Sequence, residues 1–281
     1  MSRFLQLHML TSYPPANLNR DDLGRPKTAK MGGTDRLRVS SQSLKRTWRT
    51  SDVFHESMMG FLGQRTKLFG NEIFLHLINK NADFKLAKNT AKAIAGVFGK
   101  NESVVDLKKA KDTDKELLHN RLIKKWTALD KAGLGVADYG LEKLNELSAL
   151  EVSQLTFISP EEYMAAFALA DNALAGDEIK TPLDILRDST NGVDIAMFGR
   201  MLAEAPSKNI EAACQVAHAI SVHPVVIEDD YFTAVDDLND HSEDAGAAHI
   251  GETGFAAGLF YSYICINKEL LIRWQIKRLP L

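Results

Sequence analysis

The hydrophobic period of the chain changes twice along its 281 residues, and this change restricts the fold more than any other feature. Residues 3–10 alternate between apolar and polar side chains, with Leu5, Leu7 and Met9 on one side, which predicts a half-buried strand. Residues 55–190 mostly show the period of helices, and alternation returns after them. A helical block between two strand-forming segments predicts an α+β fold, with a helical insertion in a split sheet domain.

Short patterns predict the individual elements. The stretch "RLRVS" at 36–40 predicts a second strand, and the next segment predicts a helix that Ser40 or Ser41 caps and that directs Leu44 to the core. The Pro- and Gly-rich segment between the two strands, residues 11–35, predicts a long surface loop. Further predictions are helices over 117–133 and 159–176, a strand over 191–201, a helix over 209–221, and strands over 224–229, 231–235 and 254–266.

Positive charge is concentrated near the start of the chain. Residues 20–50 contain nine Lys and Arg against three Asp, so this segment carries +6, while the whole chain carries −3 and the remainder therefore −9. Such a local excess attracts polyanions, whereas the acidic remainder discourages non-specific association. From charge alone, a solvated surface explains the cluster equally well.

The cysteines and the apolar runs bear on the compartment. Cys214 and Cys265 show no CxxC spacing, so we expect buried thiols in a reducing compartment rather than disulfides or a zinc site. No apolar run approaches the roughly 20 residues that cross a bilayer, and the first residues lack the pattern of a signal peptide. We therefore expect a cytoplasmic protein without a membrane partner.

The residues at and after the predicted helix start suit the binding of phosphates. A helix N-terminus offers backbone amides, and neighbouring hydroxyl groups and cations add to them. Pairing of the arginines with carboxylates is the alternative. The candidate ligands in this region are Arg38, Ser40, Gln42, Lys45, Arg46 and Arg49, with weaker candidates on the loop at Arg20, Lys27 and Lys30.

Several motifs occur together in one order: "LNRDD", "SSQSLKR" after a strand, "VDIA-x-x-GRM", "AHAIS", "YFTAVDDL" and "AHIG". With them, residues 1 to about 266 resemble the CasC family, the backbone subunit of the type I-E CRISPR Cascade complex. After "YICIN" that family continues with residues that complete its sheet domain, whereas this chain ends differently. The ending predicts a truncated or frameshifted version of the family's chain.

The resemblance implies a modified RRM or ferredoxin-like palm, helical fingers and a β-hairpin thumb. By this resemblance the palm comprises residues 1–54 and 186–281, the thumb lies at about 222–257 within it, and the fingers comprise 55–185. The implied protein is not an enzyme and needs no metal or other cofactor. Its implied partners are CRISPR RNA, target DNA through guide pairing, neighbouring copies of itself in a filament, and other Cascade subunits.

The resemblance also assigns residues beyond the basic segment. It implies that Met201 packs against guide bases at a kink and that Arg200 holds adjacent phosphates, although the sequence alone favours core packing for Met201. In the thumb it implies that His249 and Ile250 form a wedge between bases, with Tyr231 and Phe232 nearby. Core packing is the alternative for Phe232.

Two other functions remain open at this point. One is a metal-dependent ribonuclease, since carboxylates bind Mg²⁺, and the other is a free-standing module for single-stranded RNA. The candidate carboxylates of a nuclease are Asp21, Asp22, Asp35, Asp229, Asp230, Asp236, Asp237, Asp240 and Asp244.

Overall fold

A computed structural model describes residues 3–178, 182–234 and 249–275 of the chain. The strands are β1 (Phe4–Ala16), β2 (Thr28–Met31), β3 (Thr34–Val39), β4 (Gln64–Thr66), β5 (Thr156–Ile158), β6 (Cys214–Val216), β7 (Ala219–Ser221), β8 (Glu228–Ala234) and β9 (His249–Asn267). The helices are α1 (Ser41–Arg49), α2 (Asp52–Ser57), α3 (Phe69–Asn79), α4 (Phe84–Gly96), α5 (Asp112–Leu129), α6 (Leu141–Glu146), α7 (Pro160–Leu174), α8 (Val193–Phe198) and α9 (Lys268–Gln275). Short 3-10 helices lie at Val136–Asp138, Leu147–Leu150, Pro182–Ile185 and Pro206–Lys208.

The chain divides into two compact units. The sheet unit comprises Met1–Ser57 and Cys214–Glu269, and the helical unit comprises Met58–Ala213 with Leu270–Leu281. The predicted α+β fold with a helical insertion is therefore confirmed. The boundary differs from the expected one, because residues 186–213 group with the helical unit instead of the sheet.

The sheet is antiparallel and built around the long strand β9. Its strand order is β1-β9-β7-β3-β2, and β6 and β8 also pair with β9. Strands from both ends of the chain thus share one sheet, as the sequence predicts. Its core is small: Leu37, Ala219, Ala256 and Phe260 are buried together, and Leu44 of α1 packs against them.

The helical unit has its own, larger core. Trp126, Phe69 and Phe74 are almost fully buried, and Phe74 makes edge-to-face ring contacts with Trp126. Helix α7 begins with a capping box, in which Ser159 and Glu162 bind each other's backbone amides. The helices predicted over 117–133 and 159–176 are therefore confirmed, with ends shifted by a few residues.

Strand β1 is longer and more exposed than predicted. It pairs along one edge with β9, and every residue from Phe4 to Tyr13 is exposed, including Leu5, Leu7 and Met9. The prediction of a half-buried strand is wrong, because burial does not alternate along this edge strand: Leu5, Leu7 and Met9 are exposed, as are Gln6 and His8. The predicted loop over 11–35 also contains the end of β1 and the whole of β2, which pairs with β3.

Two predictions of secondary structure after residue 190 are wrong. Residues 191–201 contain helix α8 instead of a strand, and the buried carboxylate of Asp194 accepts a hydrogen bond from the backbone N–H of Gly63 at 2.8 Å. Residues 209–221 form β6 and β7 instead of a helix, because both segments pair with β9. In both cases long-range contacts override a short pattern that suits either structure.

Candidate nucleic-acid interface

Ser40 begins α1, as predicted. Its backbone is extended, with φ −68° and ψ 145°, and its hydroxyl oxygen accepts a hydrogen bond from the N–H of Ser43 at 3.2 Å. Two further backbone amides here donate within the protein: Ser40 N–H to Oδ1 of Asn19 at 2.9 Å, and Ser41 N–H to Nδ1 of His218 at 3.3 Å. These amides are engaged, so binding of an anion here relies mainly on side chains.

Helix α1 carries cations and no acidic residue. Lys45, Arg46 and Arg49 lie on it, with Lys45 and Arg49 one turn apart, and Arg46 is exposed. Burial raises the pKa of the Cys214 thiol, and the positive charge of Lys45 opposes that shift. Lys45 therefore lies near the start of β6. Gln42 is exposed in the first turn.

Asn19 joins the long loop to the start of α1. Its side chain accepts from Ser40, and its backbone carbonyl accepts from the N–H of Lys27 at 2.8 Å. The carbonyl of Lys27 in turn accepts from the N–H of Arg38 at 2.8 Å. Asn19, which is not a predicted ligand, thus joins Lys27 to Ser40, and Lys27 in turn binds the backbone of Arg38.

The remaining loop cations are less tightly placed. Arg20 is exposed and forms an isolated backbone bridge with Pro26. Lys30 is exposed in β2, in register with Asp35 of β3. Both are exposed, and among the described residues no side-chain hydrogen bond connects Arg20 or Lys30 to Ser40 or Ser41.

The two arginines of β3 differ in role. The guanidinium of Arg36 donates to the carbonyl oxygens of Met31 at 2.9 Å and Ser221 at 3.0 Å, so it holds two strands in place. Arg38 lies in register with Ile220, on the face opposite to buried Leu37, and its Nε is buried without a hydrogen-bond partner. The predicted alternation of β3 is confirmed.

Arg200 and Met201 have opposite environments in the helical unit. The side chains of Arg200 and Glu162 are each 1% exposed and form an ion pair. The prediction that Arg200 holds RNA phosphates is wrong for this structure, because its guanidinium is enclosed by protein. Met201, which the sequence alone assigned to a core, is 73% exposed.

The predicted thumb is seen only in part. Strands β8 and β9 pair from Glu228 with Phe255 to Ala234 with His249. Tyr231 and Phe232 are exposed, and the ring of Phe232 lies over Gly251, where a Cβ atom would meet it at 2.3 Å. His249 and Ile250 belong to β9, but their side chains and residues 235–248 lie outside the described part of the chain.

Two carboxylates of the nuclease alternative, those of Asp21 and Asp229, have structural roles. Asp21 accepts hydrogen bonds from the backbone N–H groups of Leu23 and Arg25, each at 2.9 Å. Arg25 pairs with Asp229 at 2.9 Å, which ties the loop to β8. Among the described residues, no group of three or more His, Cys, Asp and Glu is arranged to hold a metal ion. Asp236, Asp237, Asp240 and Asp244 lie outside them.

Asn19 and His218 contact the start of α1 but are not among the predicted ligands. Both belong to sequence motifs given above, "LNRDD" and "AHAIS", and only this position in a motif could have indicated them. Their role as acceptors for the backbone of Ser40 and Ser41 depends on contacts across 21 and 177 residues of chain.

The fold matches chains of CRISPR RNA-guided surveillance complexes. One chain, from a "CRISPR RNA-guided surveillance complex, pre-nicking", has a TM-score of 0.68 and 30% identity over 98% of this chain and 67% of its own length. A second, from a "CRISPR RNA-guided surveillance complex", has a TM-score of 0.57 and 27% identity over 96% of this chain and 65% of its own. The chain thus spans about two thirds of the length of these relatives.

A family model agrees with these structures. It matches residues 5–276 and is described as CT1975-like protein, so the chain belongs to the CT1975-like family. No curated protein sequence is significantly similar to the chain. In the part of the chain that the structure describes, no helix is both long and apolar enough to span a membrane.

Proposed function

We propose that the protein is a non-catalytic backbone subunit of a CRISPR RNA-guided complex of the Cascade type, and specifically of type I-E. In this role it binds the ribose-phosphate chain of CRISPR RNA, polymerises along it in the cytoplasm, and presents kinked guide segments for pairing with target DNA. Other subunits of the complex are its further partners. Support comes from membership of the CT1975-like family and from the similarity to surveillance-complex chains.

One observation within this chain carries the proposal. Asn19 connects the loop that bears Lys27 with the start of α1, a helix whose sequence contains Lys45, Arg46 and Arg49 and no acidic residue. A group of cations of this kind binds phosphates whatever the base sequence, because the favourable free energy comes from release of counterions. Indifference to sequence suits a protein that holds many different guides.

The salt dependence of RNA binding tests this interface. Replacing Lys45 and Arg49 together by Gln removes two cations, so we expect weaker binding and a smaller slope of log affinity against log salt. On single strands each lost phosphate contact lowers the slope by about 0.7. The measurement is a fluorescence titration of a labelled CRISPR RNA at several salt concentrations.

A matched control separates this interface from general charge. Lys109 and Lys124 are exposed in the helical unit, and replacing both by Gln removes the same charge. We expect the control to keep the original slope. Equal slopes for the wild type and the Lys45 and Arg49 variant would contradict the proposed site.

A further inference from the structure

Met201 is an exposed residue between two buried neighbours. It is 73% exposed, whereas Arg200 and Leu202 are 4% and 1% exposed. The backbone N–H of Leu202 donates to Oδ1 of Asn209 at 2.6 Å. The backbone on either side of Met201 is therefore held by the protein, while the Met201 side chain projects into solvent.

Arg200 is anchored through both its backbone and its side chain. Its N–H and C=O bind the C=O and N–H of Ile210, each at 2.9 Å. Its guanidinium pairs with Glu162 and also donates to the carbonyl oxygens of Phe157 at 3.3 Å and Lys208 at 3.5 Å. A guanidinium suits this position because it presents several N–H groups in one plane.

Glu162 is itself fixed at the start of α7. One carboxylate oxygen accepts from the N–H of Ser159 at 2.9 Å, and the other accepts from the N–H of Arg187 at 3.3 Å. At Gly199, the residue before Arg200, the backbone passes close to that of Ile210. Gly199 has φ +79°, and a Cβ atom there would lie 3.0 Å from the carbonyl oxygen of Ile210. The segment is thus joined to a helix end by contacts that leave little freedom.

We propose that Arg200 and Glu162 form a positioning pair, which fixes the backbone of residues 200–202 and so places Met201 for contact with guide bases. This inference rests on the proposed function. Arg200 acts through Met201 and does not touch RNA. A thioether adapts to any base, so its placement, rather than its fit to one base, sets where the guide is kinked.

Hydrogen exchange of the free protein tests the positioning without RNA. The variants are Arg200→Lys, which keeps the charge but loses the planar set of donors, and the double replacement of Arg200 and Glu162 by Met. The double variant leaves no unpaired charge in the interior, so it is expected to fold. We expect the amides of Arg200 and Leu202 to exchange at least tenfold faster in both, with the α5 core unchanged.

Binding of labelled CRISPR RNA tests the consequence. We expect both variants to keep the salt slope of the wild type, since a buried cation contacts no phosphate, whereas Lys45→Gln lowers it by about 0.7. Chemical probing should show bases of the guide that react at regular intervals, where the guide is kinked. We expect this periodic reactivity to be weaker in both variants, as in Met201→Ala. Met201→Leu serves as the conservative control that retains the pattern.

Three results would overturn the positioning pair: a slope lowered by about 0.7 in the double Met variant, which lacks the cation, amides of 200 and 202 that stay protected, or faster exchange throughout the helical unit. The last result would indicate a purely structural pair. If Lys45→Gln also leaves the slope unchanged, the proposed function fails, and the exchange of the free protein still decides whether the pair fixes this segment.

Discussion

At the scale of single residues, arginines in different parts of the fold serve different purposes. Arg36 holds strand ends through two carbonyl oxygens, and Arg200 is enclosed with Glu162, whereas Arg46 is exposed on α1. A buried cation whose charge is compensated by a carboxylate, as that of Arg200 is, cannot neutralise a phosphate. Fewer cations can therefore bind phosphates than the sequence motifs contain.

Tyr163 gives the helical unit a sensitivity to alkaline pH. Burial raises its pKa, and Glu72, which accepts a hydrogen bond from the hydroxyl at 2.9 Å and is negatively charged, raises it further, to about 12. Because the unfolded chain ionises first, at its ordinary value of 10.0, the stabilisation is complete below pH 10 and is lost as pH rises towards 12. Urea unfolding across this range, with ultraviolet detection of tyrosinate, measures the loss.

Two variants separate the causes of that shift. Tyr163→Phe removes the titrating group, so its stability should decline less between pH 10 and 12 than that of the wild type. Glu72→Gln keeps the burial but removes the charge, and we expect an intermediate titration. A wild-type curve that matches Tyr163→Phe over this range would contradict the assignment.

At the scale of elements, α1 is a short helix that depends on its ends. None of its residues is fully buried, so the packing of Leu44 is supplemented at the ends of the helix by Ser40 at the start and by Arg46 and Arg49 in the last turn. Cations near a helix C-terminus interact favourably with its dipole. The same cations that suit phosphate binding therefore also stabilise the helix that carries them.

Loss of the cap should destabilise α1. We expect Ser40→Ala to lower the free energy of unfolding by about 1 kcal/mol, because the N–H of Ser43 loses its acceptor. Ser40→Asn should restore most of this, since Asn is a good cap. Ser41→Ala is the matched control, as its hydroxyl donates to the side chain of Gln42 at 3.4 Å and does not cap the helix. Urea denaturation followed by circular dichroism measures all three, and equal losses for Ser40→Ala and Ser41→Ala would refute the capping role.

At the scale of the whole molecule, the two units differ in how much core they contain. The helical unit buries large aromatic rings, while the sheet unit buries a small cluster around Leu37 and Phe260 and exposes all of β1 from Phe4 to Tyr13. Burial of apolar area contributes roughly 25 cal/mol per Å². The helical unit therefore has the larger apolar contribution to its stability.

The proposed polymerisation predicts how mass grows with RNA length. If copies bind side by side along the guide, lengthening the RNA should add whole chains of 31.2 kDa in steps. Light scattering after size exclusion measures this for a series of RNA lengths. A complex that keeps one chain on every RNA would instead support the free-standing RNA-binding module.

Much of the fold and part of the site follow from short stretches of the sequence. The alternation of β3, the cap at Ser40, the helix over 160–174 and the cluster of cations are encoded within a few neighbouring residues, so local patterns predict them. The assignment of Met201 to base contact and the naming of palm, fingers and thumb came from the resemblance and stay predictions.

The tertiary structure alone decided which residues meet across long separations. Burial of Arg200 with Glu162, the joining of Lys27 to Ser40 through Asn19, and the pairing of residues 214–221 with β9 involve partners far apart in the chain. A local pattern states which side chains share a face, but it does not contain the partner that covers that face. Charge and period were therefore set by the sequence, whereas burial, and with it the role of each cation, depended on packing.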